Sequence, residues 1–142
     1  MLLFPIGAGF CALLCMLLHY EFLRLISCAA ARLTIAPRRR ILCVVAGALG
    51  SHVSQIMIFA LALWVLARLL GLAAFNPGKD ASLLRAVCIS FESYAALGGT
   101  ESFAYVPLRL FAGLEGLSGL VLIGWTSAFT YWCMTRYWDE HP

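Results

Sequence analysis

Phe91-Glu92-Ser93-Tyr94-Ala95-Ala96-Leu97-Gly98-Gly99-Thr100-Glu101 lies between two long apolar stretches, and how these residues are read decides the fold. They continue an amphipathic run over residues 81–94 and precede an apolar helix expected from about Leu108. A helix needs about 20 apolar residues to cross a bilayer, so this segment is too short to span. A short helix, a small-residue turn and then a spanning helix is how a chain enters a membrane and leaves by the same side. Irregular backbone at that depth survives only where it is buried in protein or lines a water-filled cavity. Residues 82–101 are therefore expected to be re-entrant.

Composition supports a membrane setting. Of 142 residues, 63% are hydrophobic and 12% charged, against about 25% charged in ordinary soluble domains. That length allows three or four crossings. Five of the ten basic residues, Arg24, Arg32, Arg38, Arg39 and Arg40, fall between the first two apolar stretches. Because lipid-embedded helices flank this cluster, it is read as a membrane boundary, and no nucleic-acid partner is expected. The six cysteines are scattered singly through apolar segments without a CxxC, so they read as small buried hydrophobes. Met1-Leu2-Leu3-Phe4-Pro5 lacks the positive region of a signal peptide, so the first segment is expected to stay.

Four helices are expected. The first, within residues 1–37, begins near Leu3 or after Pro5, with Glu21 and Arg24 on one face. Pro37 marks a stop. An outer helix follows over residues 41–72, with the polar patch Ser51-His52-Ser54-Gln55 near its middle. Asn76-Pro77-Gly78-Lys79-Asp80 is a turn cluster, and Asp80 or Ser82 can cap a short helix reaching Tyr94. The last helix is expected over residues 108–137. The basic loop 24–40 should be cytoplasmic. Three crossings then put the N-terminus and the re-entrant segment outside and the C-terminus inside, in a bacterial inner (plasma) membrane.

The quoted stretch resembles a degenerate potassium-channel pore loop, whose usual filter reads Thr-Thr-Val/Leu-Gly-Tyr-Gly-Asp. In register, Ala95 and Ala96 stand for the two threonines, while Leu97 and Gly98 match. Gly99 replaces the tyrosine, Thr100 the second glycine and Glu101 the aspartate. Downstream, Arg109, Glu115, Gly119, Gly124 and Trp125 resemble the Arg…Glu-x-x-x-Gly…Gly-Trp-Ser pattern of the inner helix in small bacterial members of the ion-channel superfamily. His19-Tyr20-Glu21 and the helix carrying His52 are also similar to that three-helix group. The resemblance implies an all-α membrane protein: three transmembrane helices plus a re-entrant pore helix and filter loop. It also implies a homo-tetramer in the lipid bilayer around a central pore for monovalent cations such as K+ or Na+, with no other cofactor.

A potassium filter stacks rings of backbone carbonyls, with a threonine hydroxyl ring at the inner end, that replace the ion's hydration shell. Ala95 and Ala96 offer only methyls, the bracing tyrosine is missing, and Thr100 stands where a glycine's backbone freedom is used. The expectation is weak or altered selectivity through Ala95, Ala96, Leu97, Gly98, Gly99 and Thr100. Glu101, repeated around the axis, would concentrate cations. Glu92 either pairs with Glu101 behind the filter, the two carboxyls sharing a proton, or bonds local backbone or Arg85. Glu115 either faces the pore, pairs with Arg109 or the His52/Gln55 patch, or makes a structural contact behind the pore loop.

Gly116, Gly119 and Gly124 let helices approach closely, or one of the last two acts as a hinge. His19 and His52 invite a metal or haem reading and a pH-sensing one, beside ordinary structural hydrogen bonding. No metal-ligand spacing such as HExxH is present, so no metal site is assigned. Nor is there a nucleophile–base–acid set or a Gly-rich phosphate loop, so no enzyme activity is expected. The second function class is a non-conducting helical membrane module binding metal or haem through His19/His52.

Overall fold

The structure, a computed structural model, describes residues 3–69, 82–98 and 106–138. Four helices follow in order: α1 (Leu3–Arg32), α2 (Pro37–Leu69), α3 (Leu83–Tyr94) and α4 (Val106–Trp138). α1, α2 and α4 are long and apolar enough to cross a membrane. With 30, 33 and 33 residues they reach about 45–50 Å at 1.5 Å per residue, beyond a hydrocarbon core of about 30 Å. α3, with 12 residues, spans roughly 18 Å and cannot cross.

The helix starts are chemically marked. Pro37 does not stop the chain before residue 41, as expected, but opens α2. Its fixed φ and missing N–H suit a first-turn position, and Ala36 O accepts from the Arg39 and Arg40 amides. Ser82 caps α3, its hydroxyl accepting from Arg85 N–H at 3.3 Å.

Cross-helix contacts fix the directions. Along α1, Gly7 lies beside Leu66, Cys15 beside the Gln55 carbonyl, His19 beside Ser51, and Gly47 beside Ile26, so α1 and α2 are antiparallel. α4 also opposes α2: Phe111 meets Phe59, Thr126 meets His52, and Tyr137 stacks under Arg40. α1 and α3 each pack against both α2 and α4.

The main apolar core joins Phe4, Ala8, Phe59, Leu63, Ala86 and Phe111 among others, and so gathers all four helices toward the α2 C-terminal end. A second cluster, Ala30, Ile41, Val44, Cys133 and Tyr137, closes the opposite end. The outward faces are apolar. Phe10, Leu17, Leu49, Leu61, Leu117 and Leu120 are among the exposed large side chains, as a lipid-facing surface requires. Hydroxyls on these helices turn back onto their own backbone: Ser54 donates to Gly50 O, Ser118 to Leu114 O and Ser127 to Ile123 O, which satisfies them without water.

Candidate functional site

α3 enters the bundle beside the main core and ends halfway along α2 and α4. Ala86 and Ile89 belong to the core with Leu63, Ala67 and Leu108, while Tyr94 reaches His52 and Gln55. Glycine sets how closely the last turn approaches α4. A Cβ on Gly116 would stand 2.8 Å from Ser93 O. One on Gly119 would run directly into Tyr94 O and lie 3.0 Å from the Tyr94 carbonyl carbon. At these two positions α3 and α4 approach closely. Among the described residues Gly124 has nothing within 4 Å of its would-be Cβ.

Beyond Tyr94 the chain forms a helix-ending turn. The Ala96 amide donates to Ser93 O and the Leu97 amide to Glu92 O, both at 2.9 Å. Ala96 takes φ 55° and Gly98 φ 99°. This is a Schellman ending with alanine where glycine is usual, a conformation that costs an L-residue about 1–2 kcal/mol. Ala95, Ala96, Leu97 and Gly98 are all exposed, Leu97 by 79%. A cleft of about 340 Å³ borders them, lined by Ser93, Ala96, Gly98, Gly113, Gly116 and Leu117 among others. Gly99, Thr100 and Glu101 lie outside the described residues, so the expected Glu92–Glu101 pairing does too. Glu92 itself is exposed on α3.

Behind Tyr94, side chains from all four helices close a polar ring. Tyr94 donates its phenolic hydrogen to Gln55 Oε1. Gln55 Nε2 donates to His19 Nδ1 at 2.9 Å and to Ser51 Oγ at 3.0 Å. His19 Nε2 lies 3.2 Å from Thr126 Oγ1, Thr126 Oγ1 lies 2.8 Å from His52 Nε2, and His52 Nδ1 lies 2.8 Å from the Tyr94 hydroxyl. The Gln55 amide fixes the direction of the whole cycle. Since Tyr94 gives its hydrogen to Gln55, it accepts from His52 Nδ1–H. His52 Nε2 then accepts from the Thr126 hydroxyl, which accepts from His19 Nε2–H. Both imidazoles are neutral in this scheme, as opposite tautomers. Ser51, 3.2 Å from His19 Nδ1, adds a second donor there. No family model, curated protein or solved structure matches this chain. The site therefore rests on its own geometry.

His19 and His52 do meet, with ring centroids 5.3 Å apart, but Glu21 is not with them. It is exposed and pairs with Arg24 at 3.0 Å, the i,i+3 contact expected from sequence. All four imidazole nitrogens have partners in the ring, so a metal would have to displace one. Among the described residues there is no group of three or more His, Cys, Asp or Glu placed to hold a metal ion.

Glu115 is fully buried; the Ser90 hydroxyl lies beside its carboxylate, although among the described residues neither group makes a contact of ordinary hydrogen-bond geometry. It sits inside the helix bundle behind α3. Sequence reasoning singled out His19, His52 and Gln55 but passed over Tyr94 and Thr126 as their partners. The one available signal was a phenol ending an amphipathic helix, which in lipid needs a polar partner.

Proposed function

We propose that the chain is one subunit of a tetrameric pore-loop channel that passes monovalent cations with weak selectivity. One observation carries this reading. A capped helix too short to span packs alongside two long apolar helices and ends at their middle, and the exposed residues 95–98 follow it. In this reading the chain enters the bilayer at Ser82, turns near Gly98 and returns to the side where α4 begins.

A helix presents a partial negative charge at its C-terminus. Four copies of α3 aimed at one axis would thus favour cations over anions there. The carboxylate of Glu101 would add an outer ring. Weak discrimination follows from Ala95 and Ala96, which place methyls where a strict potassium filter places hydroxyls, and from the helix-ending turn over Ala96 and Leu97, which folds these residues back onto α3. The small residues of the α4 face beside the cleft, Gly113 and Gly116, would let neighbouring subunits approach the axis.

In the proposed topology, Arg40 over Tyr137 (4.8 Å) and Arg136 over Trp132 (5.4 Å) mark the cytoplasmic interface, where arginine and aromatic side chains anchor helices. Arg68 over Trp64 marks the outer one.

Planar-bilayer recording of purified protein under a K+/Na+ gradient tests the proposal. Cation-selective openings with a reversal potential near zero between K+ and Na+ are expected. A stable monomer in mild detergent, or anion-selective current, would refute it.

A further inference from the structure

We infer that the ring through Tyr94, Gln55, His19, Thr126 and His52 is a proton-sensitive brace on residues 95–98. It holds the end of α3 while both imidazoles are neutral and releases it when His52 takes up a proton. The electrical consequence rests on the channel reading; the brace itself does not.

The argument is a count of hydrogens. Five links join the five side chains, and with neutral imidazoles five hydrogens fill them, one per link. A proton added at His52 Nε2 points an N–H at Thr126 Oγ1, 2.8 Å away. Thr126 then accepts from both histidines, and its own hydrogen has no acceptor left in the ring. Thr126, half-buried on the same cleft as His52, must then turn its hydrogen out of the ring, and that lost link together with the added charge favours any arrangement that opens the ring.

His52 is the member through which a proton enters. It is half-buried and borders a cleft of about 440 Å³ shared with Val45, Phe91, Tyr94, Ile123 and Ser127, whereas His19 is fully buried. His19 also has the Ser51 hydroxyl at 3.2 Å, which can turn to accept from it. The titratable groups around the pair are few. α1 brings Cys15 and His19 itself, and α3 brings Tyr94. α4 brings Glu115, which lies near Tyr94 and Cys15, and α2 adds no titratable neighbour to His52 in the ring. Tyr94 carries the ring's state onward. It is the last residue of α3, is only 2% exposed, and precedes the Ala95–Leu97 turn directly.

The test uses the full chain carrying His141→Gln, so that two histidines remain. Nitrogen-15 NMR reports imidazole charge and tautomer, and amide hydrogen exchange at Ala96 and Leu97 reports the turn. At about pH 8 both rings should be neutral, one bearing Nδ1–H and the other Nε2–H. On acidification toward about pH 5, His52 should gain a proton. Exchange at Ala96 and Leu97, corrected for its intrinsic pH dependence, should then quicken about tenfold or more.

His52→Gln, which can still donate and accept but does not titrate, should remove that acid response. Tyr94→Phe, which cuts the ring, should exchange fast already at about pH 8. A charged imidazole at about pH 8, the same tautomer on both rings, an acid response that persists in His52→Gln, or slow exchange in Tyr94→Phe would each overturn the inference. If the protein conducts, bilayer current should fall with the same pH midpoint. No current at any pH, with the NMR and exchange pattern intact, would leave the brace standing and sink the channel reading.

Discussion

Gly119→Ala is the sharpest probe of how α3 is seated, because the added methyl has nowhere to go. Its carbon would run into the Tyr94 carbonyl oxygen while lying 3.0 Å from Tyr94 C and 3.1 Å from Tyr94 Cδ1. Two of these three atoms are backbone, and the third belongs to a ring whose hydroxyl is tied to Gln55 and His52. Relief therefore requires the end of α3 to shift by about 1 Å from α4, against a general overpacking cost of about 1–3 kcal/mol. Such a shift also stretches the 2.8 Å link from His52 to Tyr94, adding the loss of a buried hydrogen bond of about 1 kcal/mol. We expect Gly119→Ala to destabilise by about 2–4 kcal/mol, and Gly116→Ala, whose methyl meets Ser93 O at 2.8 Å, by about 1–3 kcal/mol.

Two controls separate packing from helix propensity. At Gly47 the methyl would meet Ile26 Cδ1 and Cγ1 at 2.9 Å. Those atoms belong to a side chain that can change rotamer, so Gly47→Ala should cost less than Gly116→Ala. At Gly124 the methyl meets nothing among the described residues, and alanine's better helix propensity should gain up to about 1 kcal/mol. Thermal or chemical denaturation in detergent, followed by helical circular dichroism, ranks the four variants. If Gly119→Ala stays within about 0.5 kcal/mol of the parent, or Gly124→Ala is the worst of the series, the seating of α3 described here is wrong.

The remaining single substitutions test local chemistry. Ala96→Gly removes the penalty of a left-handed alanine at φ 55° and should stabilise the end of α3 by about 0.5–1 kcal/mol, read as slower exchange of the Leu97 amide; faster exchange would contradict the Schellman assignment. Glu115→Gln keeps the shape of a fully buried side chain whose neighbour is the Ser90 hydroxyl, a group an amide can also meet. It should change stability by less than about 1 kcal/mol, while Glu115→Ala leaves a cavity costing about 2 kcal/mol or more. Equal losses in both, measured by the same denaturation assay, would mean the carboxylate has a partner it depends on.

How much of this was legible in the residues depends on the range of the interaction. Spanning helices announce themselves by local hydropathy, and the short helix by Ser82 at one end and small residues at the other. The Glu21–Arg24 pair is an i,i+3 contact and reads directly. Gly116 and Gly119 were legible as contact residues because only glycine permits so close an approach, although their partners were not. Pro37 reads locally as a stop, yet the same fixed φ serves equally well to open a helix; only the fold decides between the two. The ring could not be read. His19 and Thr126 lie 107 residues apart, and Tyr94 and Gln55 39 apart. Nothing local says that they share a depth. Within the patch 51–55 the helical spacing does sort roles afterwards: Ser51 and Gln55 both meet His19, His52 turns toward Tyr94 and Thr126, and Ser54 folds back on Gly50.

That a ring of polar side chains persists at the centre of apolar helices needs a reason, since leucines would pack there without demanding partners. Lipid offers no hydrophobic drive between helices, so apolar faces can slide with little penalty. Directional bonds whose alternative is an unmet donor select one register. The ring joins one residue or more from each helix, and so sets where α3 stops relative to α1, α2 and α4 together. Replacing it wholesale separates register from stability. A variant with His19→Leu, Ser51→Ala, His52→Leu, Gln55→Leu, Tyr94→Phe and Thr126→Val removes every side chain of the ring together with the buried Ser51 hydroxyl bonded to it, and should keep its helix content and denaturation midpoint to within about 2 kcal/mol. It should nevertheless hold the end of α3 loosely, seen as multiple NMR signals for Ala95–Gly98 where the parent gives one set. A uniform single set in that variant would show that the glycine contacts alone position α3, and the ring would then be left with no structural task.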